Sequence, residues 1–299
     1  MSRHILYIIN PISGTRKKGA LRDLIESKTK AAGIPYTIEH SVVSADYSFL
    51  HTTIQQQGIT DIVIAAGDGT VNQVIDALKN FPVQFGILPC GSGNGLAFSA
   101  GIPRDMEKAL DIVFAGTSQK TDGFMVNGKF ACMLCGIGFD AQVAHDFAND
   151  PRRGLSTYIR MTVSHFFSAA AYPFTIEAND NVLEKEAFFI SIANSNQFGN
   201  NFTIAPQASL TDGLLDIVVV TKQHKLSVLL QTLRQVGGFN QLIQKELAKA
   251  NTGVLYFQTD RLRISNPGKA PIHIDGDPVP MTEQLDIQIL NHAFRLICP

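Results

Sequence analysis

The first third of the chain alternates two hydrophobic rhythms. Runs of mostly apolar, often β-branched residues at 4–9 (HILYII), 35–40, 61–66 (DIVIAA) and 84–88 read as strands. Between them, 19–32, 47–57 and 70–79 carry apolar residues at helical spacing, as with Leu21, Leu24 and Ile25 in the first. Strands alternating with helices require crossover connections and so a parallel sheet. Strands that are almost wholly apolar imply a sheet covered on both faces. After Asp122 the rhythm changes. Strand-like runs at 129–139, 174–178, 187–194, 215–221, 253–257, 262–265, 272–275 and 285–290 follow one another mostly through turns. Helical stretches interrupt them at about 155–171 and 226–249. The expected architecture is therefore α/β plus β. Residues 1–125 form a parallel-sheet domain, with about 286–299 packing back on it. Residues 126–285 form a β-rich sandwich or barrel.

Composition narrows the function. A chain of 299 residues, 45% hydrophobic and 17% charged, fits a globular protein of one large or two ordinary domains. A formal net charge of −1 argues against a dedicated nucleic-acid binder. Cys132 and Cys135 have metal-like spacing, but no second pair or nearby His completes a site, so they read as buried thiols. Asn201-Phe-Thr203 would matter only in a secreted protein. The N-terminus runs directly into a strand, and no apolar stretch approaches the ~20 residues of a membrane span. The expectation is a cytoplasmic protein, able to touch the inner membrane face peripherally without crossing it.

Candidate chemistry lies in three glycine-rich turns, each after a strand of the first domain, the edge where open parallel sheets bind ligands. They are Asn10-Pro-Ile-Ser-Gly14, followed by Thr15-Arg-Lys-Lys18; Gly67-Asp-Gly-Thr70; and Pro89-Cys-Gly-Ser-Gly-Asn-Gly95. Glycine lets backbone approach a phosphate, and helix-start amides point at it. Thr70 and Gln73 fit a capping box. Arg16, Lys17 and Lys18 stand at a helix start, against the dipole; a bound anion would relieve the conflict, and a solvated basic loop is the plain alternative. The glycines of 91–95 follow the fourth strand rather than the first, so they are not a dinucleotide fingerprint. Asp68 between two glycines suits a cation or a proton, or simply a helix N-terminus. Asp275-Gly-Asp277 is a second acidic turn and also an ordinary hairpin signal.

In order along the chain stand Asn10-Pro-x-Ser-Gly14, Gly67-Asp-Gly-Thr-Val-Asn72, Gly91-Ser-Gly-Asn94, Gly136-Ile-Gly-Phe-Asp-Ala141, Asp212-Gly-Leu214 and Ile274-Asp-Gly276. This series resembles the diacylglycerol kinase catalytic family, which includes bacterial lipid kinases and the sphingosine kinases. The resemblance implies a phosphofructokinase- or NAD-kinase-like nucleotide-binding domain followed by a β sandwich, with ATP in the cleft between them. It implies an ATP- and Mg²⁺-dependent lipid kinase that phosphorylates a lipid alcohol such as diacylglycerol or a sphingoid base, in phospholipid metabolism. By that resemblance Asn10, Ser13, Gly14, Lys17, Gly67, Asp68, Gly69, Thr70, Asn72, Gly91, Ser92, Gly93, Asn94 and Asp277 hold the nucleotide. Asp68, Asp122, Asp212 and the Leu214 carbonyl belong to metal networks. Asp275 is the implied general base, with Asp68 the other catalytic acid.

Several positions depart from the family pattern. Ala66, Gln73 and Gly95 replace a usual Gly, Glu and Asp, and Thr211 stands where an Asp usually precedes Asp212, leaving the structural metal open. Asp277 replaces a Glu. Two other readings remain at this point: a soluble-substrate kinase of the NAD kinase or phosphofructokinase type, and a non-catalytic nucleotide- or lipid-binding regulator. A homodimer is compatible with the sequence. The apolar segment 158–174, with Arg152, Arg153 and Arg160 near it, is the expected lipid entrance, lined by Phe166 or Phe167.

Overall fold

The computed structural model describes residues 3–13, 18–149, 161, 164–165, 169–197, 205–222 and 253–299. The chain forms two compact units, Met1–Thr121 with His292–Pro299, and Asp122–Asn291. Gly14, Lys17, Arg152, Arg153, Arg160, Phe166, Phe167, Asn201 and the 226–249 stretch lie outside the described residues. Of 155–171 only Met161, Ser164, His165 and 169–171 are described, the first three of them helical.

The first unit is built on parallel strands β1 (Ile5–Ile9), β2 (Tyr36–His40), β3 (Asp61–Ala66) and β4 (Gln84–Pro89), in the order β4-β3-β1-β2. β1 and β3 are buried along their whole length, whereas edge strand β2 is half-exposed, which explains its mixed composition. Helices α1 (Lys18–Ala31), α2 (Leu50–Gln56), α3 (Asp68–Leu78), α4 (Gly95–Ser99) and α5 (Met106–Ala115) connect the strands. Asp105 caps α5 by accepting the N–H groups of Glu107 and Lys108, and Gly116 (φ 68°) closes its other end. Arg3 donates to the carbonyls of Val113 and Phe114 there and forms a two-point ion pair with buried Asp61 (3.1 Å each), tying α5 to the sheet. The expected capping box at Thr70 and Gln73 does not form. α3 starts two residues earlier, at Asp68 behind Gly67, so Thr70 already lies in the first turn and its hydroxyl bonds Asn10 instead.

The second unit is antiparallel. β5 (Ser118–Val126) enters it from the first unit and turns into β6 (Lys129–Ala131). Then come β7 (Leu134–Gly138), α6 (Phe139–Asn149), β8 (Tyr172–Ala178), β9 (Asn181–Ala193), β10 (Leu215–Thr221), β11 (Val254–Thr259), β12 (Arg261–Ser265), β13 (Ile272–Ile274), β14 (Asp277–Val279) and β15 (Gln284–Ile297). β9 pairs β8 through its first half and both β7 and β10 through its second, so one long strand serves two sheets. Between them lies the sandwich core, with Ile137, Ile190, Ile217, Phe257, Ile264 and Leu285 among its members. The outer face of β9, β10 and β11 is also apolar (Phe188, Ala193, Val218, Tyr256) and packs with Phe139 and Val143 of α6. β15 passes at residue 292 into the first unit, where Leu296 pairs in parallel with Phe85 of β4.

The strand expected at 129–139 is instead two strands separated by a turn and followed by a helix. The backbone N–H groups of Cys132, Met133 and Leu134 turn to the Asp275 carboxylate, and Gly138 (φ 97°) ends β7 before α6 begins. Cys132 and Cys135 are buried thiols not joined in a disulfide. Among the described residues no helix is long and apolar enough to cross a membrane.

Candidate active site

In the first unit the turns after β1, β3 and β4 are knitted into one surface. Asn10 donates through Nδ2 to Thr70 Oγ1 (2.9 Å) and accepts the Ile12 N–H (2.9 Å), joining the first turn to the second. Ser13 Oγ donates to the Asn10 carbonyl (3.3 Å). Asp68 accepts the Asn94 N–H (2.7 Å), joining the second turn to the third. Asn94 holds a left-handed conformation (φ 57°) and clasps its own loop, accepting from Gly91 N–H (2.7 Å) and donating to the Gly91 carbonyl (2.9 Å). A Cβ on Gly91 would stand 2.6 Å from Gly67 Cα, so these two backbones touch and glycine is required there. Gly67, Asp68, Gly69, Thr70, Asn72, Gly91, Ser92 and Gly93 remain partly exposed around the start of α3. Backbone amides at a helix start, glycines that admit close approach and no side-chain cap together suit an oxyanion.

The second unit gathers the other candidate acids. Asp275 and Gly276 (φ 49° and 89°) form the two-residue turn between β13 and β14, with Ile274 opposite Asp277. Asp275 is 6% exposed. Its Oδ1 accepts from Met133 N–H (3.0 Å) and Leu134 N–H (2.8 Å), and its Oδ2 from Cys132 N–H (2.9 Å) and the Cys132 thiol (3.4 Å). Burial pushes this carboxyl above its ordinary range, and the N–H groups pull it back. Asp277, one residue past the glycine, reaches solvent, while protein around its carboxyl still desolvates it enough to raise it and nearby His273 lowers it. Asp122 is buried, and its Oδ2 accepts the Gly213 N–H (2.9 Å). Asp212 accepts the Leu214 N–H (3.1 Å); burial and then the Asp122 charge push it up.

Sequence reasoning passed over Asn194. Fully buried at the end of β9, it donates through Nδ2 to the carbonyls of Asp122 (2.9 Å) and Cys132 (3.0 Å), and its N–H reaches the Met133 carbonyl (2.8 Å). It thus links the Asp122 region to the loop that holds Asp275. Nothing local marks it, because its partners lie 72 and 62 residues away. The structure brings together Asp122, Asp212, Leu214 and Asp275 in the second unit, and Asn10, Ser13, Asp68, Thr70, Asn72 and 91–94 in the first. Among the described residues no group of three or more acid, His or Cys side chains forms a metal cage. A divalent cation would need to be held as Mg²⁺ commonly is, by one or two carboxylates and water. Asp122 and Asp212 fit that: two neighbouring acids, one raising the other, are the charge pattern a cation relieves.

Two family models match along the chain. Residues 4–126 match the family model described as the diacylglycerol kinase catalytic domain, and residues 134–298 the YegS C-terminal NAD kinase beta sandwich-like domain. A "Probable lipid kinase YegS-like" of Shewanella frigidimarina is 24% identical over 307 residues, covering 99% of this chain and 94% of the relative. A protein of the same description from Citrobacter koseri is 29% identical over 259 residues, covering 82% and 80%. The crystal structure of a diacylglycerol kinase from Bacillus anthracis superposes with a TM-score of 0.76 at 19% identity, covering 99% of this chain and 97% of that one.

Proposed function

This chain belongs to the diacylglycerol kinase catalytic family, and from that premise we propose that it transfers the γ-phosphoryl group of ATP to the hydroxyl of a lipid alcohol. The observation that carries this reading is the set of turns after β1, β3 and β4, locked together by Asn10–Thr70 and Asp68–Asn94. A phosphate chain would be met there by the partly exposed residues 67–70, 92 and 93 around the start of α3. Asp68 in the first unit and, separately, the Asp122–Asp212 pair in the second are candidate holders of Mg²⁺, which would neutralise charge developing on the transferred phosphoryl group.

The acidic turn supplies the proton chemistry in this reading. A carboxylate offers about four lone-pair sites. Asp275 faces four donors, which favours a role in holding the turn over the general-base role that the resemblance implies. Asp277, exposed on the same turn, is then the acid that accepts the lipid hydroxyl proton. The substrate is an alcohol with apolar tails, drawn from the cytoplasmic membrane face by peripheral contact.

The test is transfer of label from γ-labelled ATP to a panel of lipid alcohols in mixed micelles, with and without Mg²⁺. Metal-dependent labelling of a lipid upholds the proposal. Labelling of a soluble acceptor alone would move the chain to a soluble-substrate kinase, and ATP binding without transfer to any acceptor would make it a regulator.

A further inference from the structure

Behind the acidic turn lies a buried pair that the chemistry above leaves unused. His273 and Asp140 are 1% and 7% exposed, in a unit whose interior is otherwise mainly apolar. His273 Nδ1 accepts the Gly276 N–H (3.2 Å), so in the neutral ring the proton sits on Nε2. That nitrogen faces Asp140 Oδ2 at 3.6 Å. Asp140 is anchored at the start of α6, where Oδ1 accepts the Ala141 N–H (2.9 Å), while Oδ2 has no hydrogen-bond partner among the described residues. The glycine between them is part of the arrangement. Gly136 pairs with His273 across β7 and β13, and a Cβ on it would collide with both Asp140 Oδ2 and His273 Nε2.

We propose that Asp140 and His273 are positioning residues: the carboxylate orients the ring, and the ring holds the Gly276 amide, so that the turn between β13 and β14 presents Asp277 in one geometry. The inference rests on the kinase reading for its catalytic consequence. Three observations support it independently of that reading. The ring bonds the turn's central amide, the acid behind it is buried with one oxygen open toward the ring, and Gly136 leaves the space that both occupy. Burial holds the Asp140 carboxyl above its ordinary range and His273 lowers it, as a paired buried acid requires. A loosened turn affects transfer more than nucleotide affinity, since displacement of a reacting group by about 1 Å can cost on the order of 10²-fold in rate.

The experiment compares the full chain with Asp140→Asn, His273→Asn, His273→Gln and, as a packing control, Ser191→Ala, whose residue lies opposite Gly136 on β9. In Asp140→Asn the side-chain amide presents N–H to the ring, or loses the carboxylate charge, and the expected kcat falls about 10–100-fold with KM for ATP within about twofold. In His273→Asn the side-chain oxygen can stand where Nδ1 stood and accept the Gly276 amide, so this variant keeps more kcat than His273→Gln. Nitrogen chemical shifts of the His273 ring, assigned by its loss in His273→Gln, are expected to show the neutral Nε2–H tautomer. Unchanged kcat in folded Asp140→Asn, or an Nδ1–H ring, would overturn the proposal. If the parent protein transfers phosphate to no lipid, the kinase reading fails and amide exchange judges the pair. Faster Gly276 exchange in Asp140→Asn then upholds it, and unaltered exchange overturns it.

Discussion

The chain uses the same residues in two opposite ways. Gly67-Asp-Gly69 and Asp275-Gly-Asp277 are near mirror images in sequence, each an acid–glycine turn at the end of a strand. In the first, Asp68 opens helix α3, accepts one N–H from Asn94 and stays partly exposed; side chains there arrange the backbone, and the backbone faces the ligand. In the second, Asp275 is left-handed and buried, and three backbone N–H groups converge on it; there the backbone arranges a side chain. An acid beside glycine is therefore not one signal. What decides its role is whether the next element is a helix start, which leaves amides free, or a tight hairpin, which consumes them.

The sharpest way to break this comparison is to remove each acid's charge. Asp68→Asn is expected to lower lipid phosphorylation by about 10²–10⁴-fold while thermal unfolding stays near that of the parent, because the amide oxygen can keep the Asn94 N–H. Wild-type turnover in that variant would remove Asp68 from the chemistry. Asp277→Asn should behave similarly in rate if it accepts the proton, with ATP affinity held; a fall of less than about threefold would return that role to another acid.

Asp275→Ala is expected to act on the fold. It leaves three buried N–H groups without their acceptor, each costing roughly 1–3 kcal/mol, so chemical denaturation should show a loss of about 3–9 kcal/mol. A fully stable, inactive Asp275→Ala protein would contradict the holding role and restore a direct catalytic one.

These expectations show what the sequence could reveal. The parallel-sheet half was legible because its central strands β1 and β3 are apolar and its helices periodic, and the turns after β1, β3 and β4 were legible as glycine clusters. Asn127-Gly128 and Asp275-Gly276 also announce their turns, both pairs being left-handed in the structure. What was hidden is long-range. The apolar run 129–139 contains no break in its own pattern; the break comes from Asp275, more than 140 residues away. His273 looks like one polar position in an alternating strand, and Asp140 like a helix-start acid, until Gly136 brings them together. The Thr70 capping box failed because α3 already starts at Asp68, which leaves the Thr70 hydroxyl to Asn10, 60 residues upstream.

Smaller effects sharpen the same contrast. Gly91→Ala forces a Cβ against the Gly67 backbone at 2.6 Å, and overpacking of this kind costs about 1–3 kcal/mol. Calorimetry should show ATP binding weakened about tenfold or more; unaltered affinity would mean that the close approach of these loops is not needed for the nucleotide. A pH-dependent effect concerns Asp216. It is fully buried, accepts from the Tyr256 hydroxyl, and burial pushes its carboxyl from 3.8 up to about 7. An acid raised in the folded state stabilises fully below its ordinary value and loses that contribution as pH rises through the folded one. Relative to Asp216→Asn, the parent should therefore lose stability between pH 4 and pH 7, at roughly 2–4 °C in Tm per kcal/mol. Parallel Tm curves for the two proteins across that range would show that Asp216 does not titrate there.

The central claim is that this chain moves phosphate from ATP to a lipid hydroxyl using the amide-lined turns of its first unit. It is tested most directly by incubating the protein with γ-labelled ATP, Mg²⁺ and diacylglycerol or sphingoid-base micelles, and identifying the labelled lipid by mass, beside Asp68→Asn. A phosphate monoester on the lipid hydroxyl, formed by the parent and reduced at least a hundredfold in the variant, is the predicted result. No lipid product from folded, ATP-binding protein across the panel of alcohols would contradict it.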